Sequence, residues 1–195
     1  MERADSVTLD LHKWLHIPFE AACVLVRDRR AHREAFALTP EYLEKTERGL
    51  ASGALWFSEY GLQLSRGFRA LKVWLSIKEH GLDRFGRLID RNIAQAHELA
   101  ALVQAEPDLE LLAPVATNIV CFRYNPGGLS DEQLNALNEE LLIRLHESGI
   151  AAPSYTTLDG RYCLRAAIVN YRTTSADLPV LVGAVREIGA SLPRP

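Results

Sequence analysis

Asn118-Ile119-Val120-Cys121-Phe122, then Pro126-Gly127-Gly128, then Ser130-Asp131-Glu132-Gln133 is the stretch on which the fold turns. Its first five residues are mostly apolar and partly β-branched, which reads as a strand. The Pro-Gly-Gly triplet cannot extend that strand and marks a turn. Ser130 with Gln133 three positions later is a capping box, in which two side chains satisfy N–H groups left open at a helix start. Leu134, Leu137, Leu141 and Leu145 then recur at steps of three and four, forming one apolar helical face. Gly149 stands where a helix C-terminus favours glycine.

Outward from this strand–turn–helix unit the same alternation continues. A further strand is expected from Tyr162 to Val169, before a helix with Leu178, Leu181, Val185, Ile188 and Leu192 facing inward. Upstream, Leu82, Phe85, Ile89, Ile93, Ala96, Ala100 and Val103 share one face of a long helix, with Pro107 just beyond its end. Leu64, Phe68, Leu71 and Leu75 recur at helical spacing up to a break at His80-Gly81. These leucine stripes are read as core. Nearer the amino terminus, Val7-Thr8-Leu9 and Ala22-Cys23-Val24-Leu25-Val26 are strand-like, separated by a polar break and ended by Arg27-Asp28-Arg29-Arg30. Residues 38 to 63 sustain no period; a stretch of that length is either a functional lid or a plain surface loop. Strands alternating with amphipathic helices define an α/β layered fold.

The 195 residues suit one ordinary domain or two small ones. Hydrophobic residues make up 48% and charged residues 24%, a globular composition. With 22 Lys plus Arg against 25 Asp plus Glu, the net charge of −3 argues against a nucleic-acid platform, which would carry a basic patch. No apolar run approaches the roughly 20 residues of a membrane-spanning helix. Met1-Glu2-Arg3-Ala4-Asp5-Ser6 lacks the apolar core of a secretory signal, and Cys23, Cys121 and Cys163 lie among apolar neighbours. A cytoplasmic protein with reduced cysteines is therefore expected, with neither nucleic-acid nor membrane partners.

Candidate chemistry concentrates in Asp10-Leu11-His12-Lys13-Trp14-Leu15-His16. His12 and His16 are four apart, a spacing zinc proteins use on a helix. Pro18 and the preceding strand-like run argue against a helix here, and no glutamate stands between the histidines, so no metal is expected. Lys13 is a second candidate, as a Schiff-base nucleophile. That role requires a lowered amine pKa, which apolar packing by Leu11, Trp14 and Leu15 would supply. A surface lysine lying on a tryptophan ring is the plain alternative, and spacing alone leaves the choice open.

Ala4-Asp5-Ser6-Val7-Thr8-Leu9-Asp10-Leu11-His12-Lys13-Trp14 resembles the cofactor-lysine motif of the pyridoxal-phosphate-dependent group II amino-acid decarboxylases, which include the aromatic-amino-acid, tyrosine, histidine and glutamate decarboxylases. Leu64-Ser65-Arg66-Gly67-Phe68-Arg69-Ala70-Leu71-Lys72-Val73-Trp74 resembles that family's arginine-rich approach to its carboxy-terminal domain. Weaker likeness continues through Asn118 to Phe122 and Leu164 to Ala167, so it covers essentially the whole chain. Two features depart from the pattern. Gly67 stands where a second arginine is usual, and Phe57-Ser58-Glu59-Tyr60-Gly61 lacks the basic residue of aromatic-amino-acid members.

The resemblance implies the carboxy-terminal part of a type I pyridoxal-phosphate-dependent transferase fold. Residues 1–71 would close the large cofactor-binding domain, and 72–195 would form the small carboxy-terminal α/β domain. It implies that Lys13 holds pyridoxal 5'-phosphate through a Schiff base, that His12 lies near the cofactor phosphate, and that Asp10 helps hold the phosphate region. It implies that Tyr42, in Leu38-Thr39-Pro40-Glu41-Tyr42-Leu43, is the loop tyrosine that donates a proton. Ser65 matches a position whose backbone approaches the partner subunit's cofactor phosphate. The implied activity is decarboxylation of a small-molecule L-amino acid, aromatic by default, in a homodimer. Family members carry a long amino-terminal half before the lysine motif, with the aspartate for the pyridinium nitrogen, the stacking histidine and most of the pocket. Those groups are expected from outside these 195 residues. The alternative expectation is a catalytically inactive truncated product or oligomerisation module.

Overall fold

The computed structural model describes residues 2–37, 47–49, 52 and 56–193. They fall into two compact units, Met1–Gly81 and Leu82–Pro195.

In the first unit, β1 (Ser6–Leu9) pairs antiparallel with β2 (Cys23–Val26), placing Ser6 opposite Val26 and Leu9 opposite Cys23. Val7, Thr8, Val24 and Val26 supply the β-branched character that a pleated ribbon favours. The charged cluster after β2 does more than end it. Asp28 accepts hydrogen bonds from the N–H groups of Arg30 and Ala31 at 2.8 and 3.1 Å and so caps α1 (Arg29–Phe36). A 3-10 turn at Phe57–Tyr60 packs on α1. Its Glu59, only 5% exposed, accepts two hydrogen bonds from Arg33 at 2.8 and 3.0 Å. This fork-shaped pairing holds the Arg33 guanidinium above its ordinary pKa, first through the hydrogen bond and then through the carboxylate charge. The His32 ring meets Phe36 and Tyr60 edge-on at 5.6 and 5.3 Å.

The helix expected around Leu71 and Leu75 forms as α2 (Arg69–His80) and stops at Gly81, whose φ of 73° lies in the left-handed region. Its apolar stripe is not core, which corrects the sequence reading. Leu64, Phe68, Leu71, Trp74 and Leu75 are all exposed, and α2 buries no residue. Periodicity requires that one face be apolar but does not supply the surface that covers it. Among the described residues of this unit, β1 is occupied with β2 and α1 with the 3-10 turn. The boundary between units also falls later than the expected 71/72. α2 runs unbroken across that point, and Arg69 donates to Glu20 of the same unit at 2.8 Å.

The second unit is built on a four-stranded sheet of β3 (Leu109–Leu111), β4 (Ile119–Tyr124), β5 (Ser154–Leu158) and β6 (Arg161–Ala167), in the order β3-β4-β6-β5 and antiparallel throughout. Val120 and Phe122 of β4 lie opposite Ala166 and Leu164 of β6, and these four residues face a single core. That core is completed by α3 (Leu82–Ala105), α4 (Asp131–Glu147) and α5 (Asp177–Ser191). Here the stripes are core: Leu134, Leu137, Leu141 and Leu145 of α4 are at most 4% exposed. Each such side chain contributes roughly 1.5–3 kcal/mol of transfer free energy. In α3 the buried stripe runs through Phe85, Asn92, Ala96, Leu99, Ala100 and Val103, while Leu82 stays exposed. The capping box forms as read, with Ser130 Oγ accepting from the Gln133 N–H and Gln133 Oε1 from the Ser130 N–H.

Polar contacts lock these layers in register. Asn138 of α4 accepts from the Tyr124 N–H and donates to the Tyr124 and Leu134 carbonyls, all at 2.8 Å. Asn135, one turn earlier, accepts from the Tyr162 N–H at 2.7 Å and donates to the Gly160 carbonyl at 2.8 Å. Gly189 of α5 lies against the Tyr124 ring so closely that a Cβ there would stand 2.6 Å from Cδ1. The sheet's other face carries Cys121 opposite Arg165, with Arg123 opposite Glu110. Arg123 is 3% exposed and pairs with Glu110 and Asp131, each at 2.8 Å.

Candidate active site

Residues 10 to 22 link β1 to β2, and they form successive tight turns rather than a helix. The Asp10 carbonyl accepts from the Lys13 N–H at 3.0 Å, the Lys13 carbonyl from the His16 N–H at 3.1 Å, and the Leu11 carbonyl from the Ile17 N–H at 3.1 Å. His16 takes a φ of 56°. His12 and His16 therefore do not share a helical face. Ile17 and Ala21, 4% and 1% exposed, are the buried points on which the link rests.

His12 is fixed from two sides. Its N–H donates to the Ala21 carbonyl at 3.0 Å, and its ring Nδ1 lies 2.7 Å from that oxygen and 3.1 Å from the Ala21 nitrogen. Either tautomer thus has a partner on Ala21. The Phe19 ring meets the imidazole edge-on at 5.0 Å. Glu20, next along, pairs with Arg69, whose hydrogen bond and charge hold the Glu20 carboxyl below its usual range.

Lys13 projects from the turn that Asp10 begins. Its Nζ lies 2.5 Å from Asp10 Oδ2, and the two side chains are 69% and 36% exposed. The hydrogen bond from Lys13 holds the Asp10 carboxyl below its ordinary value; slight desolvation opposes this, and the charges of Lys13 and His12 add to it. The apolar enclosure anticipated from Leu11, Trp14 and Leu15 is not what surrounds the amine: it stands in solvent beside a carboxylate. Tyr42 lies outside the described residues, and Ser65 is exposed. The structure therefore brings Asp10, His12 and Lys13 together in one four-residue turn. Ala21 and Phe19, which orient His12 from nine and seven positions along the chain, carried no signal in the sequence.

A primary amine is the group that attaches covalently to an aldehyde, and pyridoxal phosphate bears one. On the donor set of this turn the residues present fit it, with Lys13 as the attachment point and His12 immediately beside it. Among the described residues no group of three or more His, Cys, Asp or Glu is placed to hold a metal ion. In the second unit a cleft of about 620 Å³ opens among the ends of β5 and β6 and the start of α5, walled by Ile150, Pro153, Val169 and Leu181. Arg165 in its lining donates to Ser154 Oγ at 3.3 Å.

Comparison with known proteins makes the family explicit. Residues 1–125 match the pyridoxal-dependent decarboxylase conserved domain, and the chain belongs to that family. It is 38% identical to an aromatic-L-amino-acid decarboxylase of Bacillus atrophaeus over 179 residues, covering 91% of this chain and 37% of that protein. It is 31% identical to tyrosine decarboxylase 4 of Petroselinum crispum, covering 86% of this chain and 34% of that protein. Among solved structures it is similar to the Oryza sativa TDC with PLP and tryptamine, with a TM-score of 0.88 at 25% identity, covering 97% of this chain and 39% of that one. The chain thus spans well under half the length of the relatives it matches.

Proposed function

We propose that this chain serves, as part of a longer protein, in the pyridoxal-phosphate-dependent decarboxylation of an L-amino acid of aromatic type. The observation that carries the reading is Lys13: an open amine in the turn after β1, within the residues matched by the decarboxylase family. The 38% identity to an aromatic-L-amino-acid decarboxylase supports the aromatic class. Lys13 would be the residue that holds the cofactor, through its side-chain amine. His12, the residue before Lys13, has its imidazole fixed on Ala21 and Phe19. When bound, the cofactor supplies an electron sink for the electron pair left on the α-carbon as CO2 departs. Tyr42 donates the proton that the α-carbon then requires, the step at which exclusion of water matters.

The active form is a homodimer, with the exposed apolar residues Leu62, Leu64, Phe68, Leu71, Trp74 and Leu75 covered in the assembly. The cytoplasm is its compartment, in keeping with Cys121 and Cys163 buried as free thiols. A second reading applies to the 195 residues alone: catalytic silence, favoured by the 69% exposure of a lysine whose chemistry needs a dry pocket.

The test is release of CO2 and amine from a panel of aromatic and acidic amino acids, run on the longer gene product and on the 195-residue chain, both with added pyridoxal phosphate. Turnover of an aromatic amino acid by the longer product, with little cofactor binding by the short chain, is the expected result. No CO2 from any amino acid would refute the proposal.

A further inference from the structure

By resemblance, Asp10 matches a residue that helps hold the cofactor phosphate. In this chain its carboxylate is turned to another partner. Oδ2 lies 2.5 Å from Lys13 Nζ, and the turn that joins the two residues is closed by the Lys13 N–H on the Asp10 carbonyl at 3.0 Å. The backbone turn holds Asp10 and Lys13 three positions apart, so the contact needs no other part of the chain. A carboxylate and a phosphate are both anions and repel at close range, whereas a carboxylate attracts an ammonium. An aspartate at this place opposes phosphate and favours the charged amine.

We infer that Asp10 is a positioning residue for Lys13, holding its ammonium between cofactor-loading events, and contributes nothing attractive to the phosphate. This rests on Lys13 being the cofactor lysine. Loading then begins with exchange of partners. Lys13 leaves Asp10 and loses a proton to water; its nitrogen forms a bond to the aldehyde carbon, and the carbonyl oxygen departs as water. The charged groups around the pair are few. His12 acts on Asp10, and Glu20, which His12 also reaches, is occupied by Arg69 with Lys72 nearby. Among the described residues Glu20 makes no ion pair with Lys13, which Asp10 holds.

The experiment uses the 195-residue chain and two aldehyde probes, pyridoxal phosphate and pyridoxal, which lacks the phosphate. Each adduct is trapped with borohydride, and the labelling rate of Lys13 is read by peptide mass mapping relative to Lys78, which lies over the Trp74 ring. Asp10→Asn raises the Lys13 rate with both probes, by up to about fivefold for an exposed ion pair. Asp10→Glu restores the wild-type rate, and added salt raises the rate in wild type but not in Asp10→Asn. If Asp10→Asn leaves pyridoxal labelling of Lys13 unchanged, or alters labelling by pyridoxal phosphate alone, the inference is overturned. Failure of the cofactor-lysine reading itself shows elsewhere, as turnover by Lys13→Ala in the longer product.

Discussion

Gly189→Ala sets two known effects against each other, and the structure decides between them. Gly189 lies inside α5, where alanine is favoured over glycine by about 1 kcal/mol. Its Cβ would stand 2.6, 2.7 and 2.8 Å from Cδ1, Cγ and Cε1 of Tyr124, against an optimum near 3.5–4.0 Å. Tyr124 is 6% exposed, and both its backbone groups are gripped by Asn138, so the residue cannot slide away as a whole. The ring must tilt within a packed core, an overpacking that costs roughly 1–3 kcal/mol. Since the ring cannot escape, we take the upper part of that range, and after the helix gain a net loss of about 1–2 kcal/mol remains. For a unit of this size, each kcal/mol lowers Tm by about 4 °C. Urea unfolding followed by far-UV circular dichroism measures it, with the m-value unchanged. A companion cycle fixes the cause: in a Tyr124→Ala background, where every atom beyond Cβ is gone, Gly189→Ala becomes neutral or stabilising. If Gly189→Ala is as stable as wild type, or if the Tyr124→Ala background does not relieve the loss, the close-contact argument is wrong.

In the longer gene product, Lys13→Ala abolishes the visible-edge absorbance of the lysine-bound cofactor and reduces product to background; an unchanged spectrum would remove Lys13 from the cofactor role. Tyr42→Phe retains that absorbance and slows amine release about 10²–10⁴-fold, the range for loss of a positioned proton donor; full turnover would exclude Tyr42. Burial alone would raise the Glu110 carboxyl, but hydrogen bonds from Arg123 and Asn125, with the charges of Arg123 and Arg161, more than offset this and hold it below its usual range. A depressed carboxyl contributes stability above its unfolded value of about 4.3, and that stability is lost as pH falls through the folded value. Glu110→Gln is therefore destabilised at pH 7, and its deficit closes in strong acid; a deficit that is the same at both pH values, measured by urea titration, would contradict the pairing.

The second unit was legible where signals were local and strong. Ser130, Gln133 and four leucines at helical spacing place α4 correctly, cap included. β5 was missed because Ser154-Tyr155-Thr156-Thr157-Leu158 carries little apolar alternation. The Asp159-Gly160 pair that follows was a readable signal: both residues take positive φ, 49° and 78°, the requirement of a two-residue hairpin turn between Leu158 and Arg161. α1 was hidden by its charge, although Asp28 before Arg29 is a plain capping signal. At the site, Lys13 and Asp10 were both visible, but their pairing depends on a turn that no period announces. Exposure of α2 was illegible for a different reason. An apolar stripe states what a helix needs, and only the neighbours decide whether it is met.

The two asparagines of α4 carry a consequence for how sequences of this fold can drift. Asn138 presents an acceptor to an N–H and a donor to carbonyls, and the same holds for Asn135. Aspartate offers oxygens only and would set one against a carbonyl; leucine leaves strand groups without partners; glutamine overshoots by a methylene. The leucines alongside them can exchange for isoleucine or methionine at modest cost. A saturation library over α4 should therefore return a broad spectrum at 134, 137, 141 and 145 and almost a single letter at 138. In this helix the polar positions, not the greasy ones, spell the identity of the fold.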